Sequence, residues 1–289
     1  MIRNRKKIGI LITYLPTVLR SFILICVFLW QCSSSKEGKE RIKQISIPTK
    51  LGMMSVLTNN CELKTKLLVW IHGSPGSGSD FTMHLEDEDY GKHFCMLVPD
   101  RLGFGKSNSE NFQPSLKIQS DAIVEMVQFF LKQKNVSFQN ATIIGHSYGG
   151  PVAFQSTIQL SKSKQPSWKV VLISAPMDPK YEELKFYNFF AKNFIIEWML
   201  PRSWVRSNLE MFQLKKELET LGSVLNENQF PVITIHGDDD GIVPLEHIYF
   251  LEKIQYKGNH KYYRIKDGSH FIPWTRYSEI KNIIFSEEF

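Results

Sequence analysis

Ser147 stands in Gly145-His146-Ser147-Tyr148-Gly149-Gly150, after the apolar run Ala141-Thr142-Ile143-Ile144 and before a segment with helical character. A serine placed between glycines on a strand-to-helix turn is held on a tight, strained bend. Its neighbours must lack bulk, and its hydroxyl projects from the edge of the sheet. The helix that follows offers backbone N–H groups and the positive end of its dipole to an oxygen gaining negative charge. This is a placement suited to a nucleophile. The five-residue pattern recurs by chance, so the rest of the chain decides its meaning.

A serine hydroxyl needs a base, and the base needs an orienting acid. Of the eight histidines, His270 lies in a loop, Gly268-Ser269-His270-Phe271, after the strand-like run Tyr262–Ile265. It is also downstream of an acidic turn, Gly237-Asp238-Asp239-Asp240-Gly241-Ile242-Val243-Pro244. Three adjacent aspartates leave the acid open by residue type. His72, His146 and His236 occupy turn positions, where local hydrogen bonding accounts for them. Two further turns follow apolar runs: His72-Gly73-Ser74-Pro75-Gly76, and Asp100-Arg101-Leu102-Gly103-Phe104-Gly105-Lys106-Ser107.

These turns need a scaffold. Short apolar runs at Leu67–Ile71, Phe94–Pro99, Ala141–Ile144, Val170–Ile173 and Val232–His236 are bounded by turn residues. Helical patterns such as Ile118–Leu131 separate them. Buried strands alternating with helices predict a mainly parallel sheet covered on both faces. Residues 177–204 break the alternation with Tyr181, Phe186, Tyr187, Phe189, Phe190, Phe194, Trp198, Met199 and Trp204. A helical pattern at 205–221 already supplies the crossover. The aromatic stretch is therefore expected to form a small cap over the strand C-terminal ends, with Phe190, Phe194 and Trp198 as candidate substrate-binding residues.

From about residue 43 to 289, with all these motifs in order, the chain resembles the α/β-hydrolase superfamily. The resemblance implies an α/β fold with a mainly parallel eight-stranded sheet flanked by helices and a helical cap insertion at about 177–204. It selects Asp240 as the acid, with Asp238 capping the turn and Asp239 solvated, and gives the chain order Ser147, Asp240, His270. It assigns the oxyanion hole to the backbone N–H groups of Ser74 and Tyr148. The Asp100–Ser107 turn takes a bracing role without chemistry. A serine nucleophile argues against the haloalkane dehalogenases and epoxide hydrolases, which use a carboxylate there. The implied activity is hydrolysis of an ester or related acyl bond through an acyl-enzyme, lipase-like or carboxylesterase-like, on an apolar acyl substrate. No cofactor and no metal are expected. The alternatives are an aminopeptidase or amidase of the proline-iminopeptidase type, which needs an acidic cluster to grip a free amine, and a non-catalytic ligand-binding protein of the same fold.

The formal charge of +6 belongs to the N-terminus. Arg3, Arg5, Lys6, Lys7 and Arg20 give +5 in residues 1–31, and residues 32–289 carry 6 − 5 = +1. Nucleic acid is therefore not an expected partner. Residues 1–31 read as a signal or membrane-anchor segment, and residues 32–42 as a polar tether. The apolar run Ser21–Trp30 is roughly 15 Å long as a helix and too short to span a bilayer core of about 30 Å. Leu29-Trp30-Gln31-Cys32-Ser33 resembles a bacterial lipoprotein signal in which Cys32 is lipidated, with Gln31 departing from the small residue expected there. The other reading is an uncleaved signal-anchor. Either way the expected location is the bacterial cell envelope, exported and held at the membrane through the N-terminus. Cys95 reads as a buried small hydrophobe, and a Cys61–Cys95 disulfide is permitted outside the cytoplasm.

Overall fold

The computed structural model describes residues 42–107, 112–134, 137–163, 165–190, 193–225 and 228–287. Cys32 and the rest of the N-terminal signal lie outside the described residues. The chain divides after Ile42, and the unit from Lys43 onward is the one described below.

Eight strands form one sheet: β1 (Lys43–Thr49), β2 (Gly52–Thr58), β3 (Lys66–Ile71), β4 (Cys95–Pro99), β5 (Asn140–His146), β6 (Ser167–Ile173), β7 (Val232–Gly237) and β8 (His260–Ile265). Their spatial order is β1-β2-β4-β3-β5-β6-β7-β8. Strands β3 to β7 are the five apolar runs of the sequence, β8 contains the strand-like run Tyr262–Ile265, and all six pair in parallel. β4 and β7 are buried along their whole length, as strands covered on both faces must be.

β1 and β2 form an antiparallel hairpin, and β2 pairs antiparallel with β4 at the sheet edge. Thr49 faces Gly52 across a two-residue turn. The hairpin is not evident from hydrophobicity, because β1 buries only Ile47 while its neighbours face solvent.

Helices cover the sheet. Helix α1 (Leu116–Lys134) directs Leu116, Ala122, Ile123, Met126, Val127 and Phe130 into the core and extends the expected helical pattern at both ends. Helix α2 (Gly149–Leu160) starts directly after Ser147 and Tyr148 and packs against α1 and β5. In the aromatic stretch, two short helices, α3 (Phe186–Phe190) and α4 (Phe194–Met199), precede the long helix α5 (Arg202–Val224). Helix α5 begins at Arg202, after Pro201, so Trp204 sits on the crossover helix. Proline disfavours helical backbone at the residue before it, here Leu200, so no helix runs unbroken through this point and α5 starts after it. Helix α6 (Tyr277–Ser286) closes the chain.

The strand order reverses at β3. The chain steps from β3 outward to β4, then returns to the other side of β3 as β5. Loops leaving β3 and β5 therefore diverge, and a crevice opens at the strand C-terminal ends between them.

Cys61, in the loop after β2, is disulfide-bonded to Cys95 at the start of β4, with their Cα atoms 4.4 Å apart. The bond closes a loop of 34 residues. Cys95 is fully buried, as expected, and is also one half of this crosslink. On a chain-entropy basis the crosslink contributes about 3–4 kcal/mol. Changing both cysteines to alanine should lower the thermal midpoint by several degrees, and reductant should lower that of the wild type by a similar amount. A midpoint that does not move, with or without reductant, would show that the crosslink contributes nothing.

Candidate active site

Ser147 occupies the turn between β5 and α2 with φ at +52°. A non-glycine residue in this left-handed region costs roughly 1–3 kcal/mol and persists only where its surroundings over-determine it. Here the Ser147 N–H donates to the Ile173 carbonyl at 2.9 Å, and the Ser147 carbonyl accepts from Gly150 N–H at 2.8 Å. The glycines make the turn possible. A Cβ on Gly145 would lie 2.1 Å from the Gly149 carbonyl oxygen, and one on Gly149 would lie 2.3 Å from that of Ile71. A Cβ on Gly73 would meet the Ser147 Cβ at 2.9 Å and its Oγ at 3.4 Å. The serine hydroxyl thus lies against the loop that leaves β3.

Asp240 and His270 come from the loops after β7 and β8. The His270 Nδ1–H donates to Asp240 Oδ2 at 2.9 Å. Asp240 Oδ1 accepts from the N–H groups of Ile242 and Val243, each at 2.9 Å. Its carboxylate is fully buried, and burial alone would raise its pKa. Hydrogen bonds from His236 and His270 outweigh that and hold it well below the usual carboxylate range. Asp240 is an anion across the working pH range. It fixes the proton of His270 on Nδ1 and leaves Nε2 free to accept one. Asp238 instead pairs with Arg264 at 3.1 Å, and Asp239 is exposed. The geometry therefore separates three aspartates that residue type left equivalent.

His146 ties the serine turn to the histidine loop. Its Nε2–H donates to the His270 carbonyl at 2.9 Å, and the two rings lie 4.9 Å apart. Burial, reinforced by His270, drives its pKa down to about 3, so it stays neutral. Ser147 Oγ has no hydrogen-bond partner among the described residues. Contacts of this kind commonly tighten only when substrate is bound.

The N–H groups of Ser74 and Tyr148 also have no partner among the described residues. The Asp100–Ser107 turn braces the loops as expected. Asp100 accepts from Gly78 N–H and Lys106 N–H, both at 2.7 Å, while the Ser107 hydroxyl donates to the Asp100 carbonyl. The same turn carries Arg101, which is fully buried against Glu210 of α5. The sequence reading missed this pair. The available signal was an acidic residue on the buried side of α5, between Ser207 and Leu214.

The stretch expected to form a cap is tied to α5 by Asn188 and Asn208. The Asn188 side-chain amide donates to Asn208 Oδ1 at 2.8 Å, and that of Asn208 returns a bond to the Asn188 carbonyl at 3.0 Å. Phe194, Trp198, Met199 and Trp204 are 80%, 83%, 72% and 58% exposed. The Phe190 side chain lies outside the described residues. Nearby, His247 Nδ1 accepts from the N–H groups of Met177 and Asp178, so its Nε2 carries the proton and faces Glu182 at 3.6 Å. Burial lowers His247 to about 4 and raises Glu182 to about 7. A separate cleft, lined by Lys66, Phe94, Asn140, Trp168 and Asn259, opens at the strand N-terminal ends, away from these residues.

Residues 66–195 match the family model described as alpha/beta hydrolase fold. Among curated proteins, none matches this sequence. Among solved structures, the N-acyl homoserine lactonase AidH complexed with N-butanoyl homoserine is 21% identical, covering 85% of this chain and 96% of its own, with a TM-score of 0.65. BphD, the 2-hydroxy-6-oxo-6-phenylhexa-2,4-dienoate hydrolase from Rhodococcus sp. strain RHA1, is 19% identical over 85% of this chain and 98% of its own, at 0.64. A membrane phospholipase A described as a bacterial virulence factor is 14% identical over 99% of both chains, at 0.62. Together with the strand order, these likenesses define the molecule as an α/β-hydrolase-fold protein.

Two outcomes follow from this geometry. Asp240→Asn should lower turnover about 10³–10⁴-fold by freeing the wrong imidazole tautomer. Asp239→Asn should stay within about twofold of wild type, and Asp238→Asn should cost under about 1 kcal/mol of stability. Equal losses at Asp239 and Asp240 would refute the separation. The second outcome concerns Glu182, whose folded-state pKa is raised, so the folded cap binds its proton more tightly than the unfolded chain does. Its contribution to cap stability should therefore be lost as pH rises from about 4.5 to about 7, opposing that of His247, whose lowered pKa adds stability as pH rises over much of the same range. Amide exchange across residues 177–190, corrected for intrinsic rate, should then trend faster with rising pH in wild type than in Glu182→Gln. An identical trend in the variant would remove Glu182 as its cause.

Proposed function

We propose that this protein is a serine hydrolase that cleaves an ester or related acyl bond through an acyl-enzyme on Ser147. The observation that carries the reading is the His270–Asp240 hydrogen bond, with Asp240 held anionic, tied through His146 to a serine in a left-handed turn. His270 Nε2 takes the Ser147 proton as Oγ attacks the acyl carbon. The oxygen that gains charge is met by the N–H groups of Ser74 and Tyr148, each contributing about 3 kcal/mol. His270 then protonates the leaving group, and the acyl-enzyme forms. In the second half-reaction His270 deprotonates a water that attacks the acyl carbon, and Ser147 recovers its proton on release of the acid.

The substrate we infer is apolar and acylated. The support is the exposed aromatic surface of the cap, together with similarity to proteins described as a lactonase and a phospholipase A. The aminopeptidase reading has less support. The cap's half-buried acid, Glu182, has a pKa near 7 and would be a weak partner for an amine.

We further propose that the protein is exported and membrane-associated through its N-terminus, by a lipid on Cys32 or by an uncleaved anchor. The Cys61–Cys95 disulfide supports an oxidising compartment. Net charge is positive where the exposed aromatics lie. Residues 185–206 hold Lys185, Lys192, Arg202 and Arg206 against Glu197. Bases beside exposed Trp and Phe suit an anionic lipid surface.

The reaction is tested with a fluorophosphonate and a series of chromogenic esters of graded chain length. One probe should bond per protein, on Ser147, and Ser147→Ala should lose both labelling and at least a thousandfold in turnover while keeping its fold. Retention of a tenth of the activity would move the nucleophile elsewhere. Faster cleavage of amino-acid anilides than of esters would favour the aminopeptidase.

A further inference from the structure

We infer that Arg101 and Glu210 are positioning residues that set the oxyanion-donating peptide between Gly73 and Ser74, and that this setting is relayed from the cap through helix α5. The inference rests on the serine-hydrolase reading above.

Arg101 makes its bonds to the loop that must present a donor. Its Nε–H donates to the His72 carbonyl at 3.1 Å, and an Nη2–H to the Gly73 carbonyl at 3.0 Å. The Gly73 carbonyl accepts a second bond, from His72 Nδ1–H, at 2.8 Å. His72 is held in the tautomer this requires, because its Nε2 accepts from the Arg101 backbone N–H at 2.9 Å. Burial and the adjacent guanidinium keep the imidazole neutral. The carbonyl of the Gly73–Ser74 peptide is thus gripped from two sides. In a trans peptide the C=O and N–H point in opposite directions. Fixing the Gly73 oxygen therefore fixes the Ser74 N–H on the face turned away from Arg101. A flipped peptide would present a carbonyl oxygen, which repels an oxyanion.

Glu210 completes the arrangement. Its carboxylate takes Arg101 Nη1–H at 2.5 Å and Nη2–H at 3.1 Å, and it accepts from the Ser74 hydroxyl at 2.5 Å. One carboxylate therefore holds both the arginine and the residue whose N–H matters. The guanidinium also lies 4.8 Å from the ring of Tyr148, the second donor residue, and 4.5 Å from that of Phe104. Both side chains of the ion pair are wholly buried. A buried pair does little better than apolar packing for stability. What it supplies here is direction, since a planar fork fixes the atoms it touches. Glu210 sits eight residues into α5 (210 − 202), the helix that begins where the cap ends. Asn208, two residues before it, bonds cap residue Asn188. A cap displaced from its seat pulls on the same turn of helix that holds Ser74.

The full-length protein is the test object, with active sites counted by fluorophosphonate. Arg101→Lys keeps the charge but loses the fork, and Glu210→Gln keeps the shape but loses the charge. Each should lower kcat per labelled site 10- to 1000-fold with KM within about threefold. Affinity for a trifluoromethyl ketone, which forms a charged hemiketal on Ser147, should fall in parallel. Ser74→Ala retains the backbone N–H and removes only the tie to Glu210. It should lower kcat 3- to 10-fold at unchanged KM, and it decides the matter if the other two variants do not fold. A merely structural role would lower the melting temperature or the labelled fraction and leave kcat per site and ketone affinity unmoved, and that result would overturn the inference. Failure of wild type to label would sink the serine-hydrolase reading and this inference with it. Normal labelling with unaffected variants would sink this one alone.

Discussion

Ser147 holds a left-handed backbone only because three chain segments meet at one point with no side chains between them. The strand ends of β3 and β5, the start of α2 and the turn itself approach so closely that Gly145, Gly149 and Gly73 leave no room for a Cβ. The reversal of strand order at β3 creates this convergence. It brings the loop after β3 against the turn after β5 from opposite directions along the sheet edge. Hydrogen bonds to Ile173 and Gly150 then hold the strained residue. Parallel register carries the same alignment outward, setting His146 beside Ile173 and Gly237 beside Ile265, so the loops bearing Asp240 and His270 leave the sheet at matching height.

Around that point lie ionisable side chains buried well beyond what water would normally release. Each is accommodated in its own way. His72 and His146 are driven neutral by burial and keep a fixed tautomer through carbonyl bonds. Asp240 stays charged because His236, His270 and two backbone N–H groups supply what solvent would have given. Arg101 and Glu210 cancel each other. None of these dipoles has to reorient when charge moves during a reaction, which is how a dry site lowers a barrier. The N–H groups of Ser74 and Tyr148 have no partner among the described residues, and under the proposed function they meet the oxygen that gains charge.

The five buried parallel strands β3 to β7 could be read directly, since strands covered on both faces appear as continuous apolar runs. Ser147 could be read from its glycines and its position between a strand and a helix. Asp240 could not be read from residue type, because three aspartates stand together, and only a resemblance singled it out. The reasons for the omissions are physical. In the β1–β2 hairpin, β1 buries only Ile47, so no apolar run marks that strand. Pro201 moves the start of α5 into the aromatic stretch, where composition alone gave no boundary. Arg101 and Glu210 lie 109 residues apart, and pairing over that separation leaves no local pattern. What could be read was chemistry carried by short turns; what could not was the support those turns receive from distant helices.

The cap shows the same division between local composition and tertiary setting. Eight aromatic residues within residues 177–204 would suit a core helix as well as a surface one. Their destination is set by Asn188 and Asn208, whose buried amides satisfy each other and seat α3 on α5. Phe194 and Trp198 of α4, one turn apart, are exposed. Exposed apolar area on this scale marks a surface that meets something other than water. Under the proposed function, that something is the lipid phase in which an apolar acyl substrate resides. The helix that carries the cap's anchor also carries Glu210.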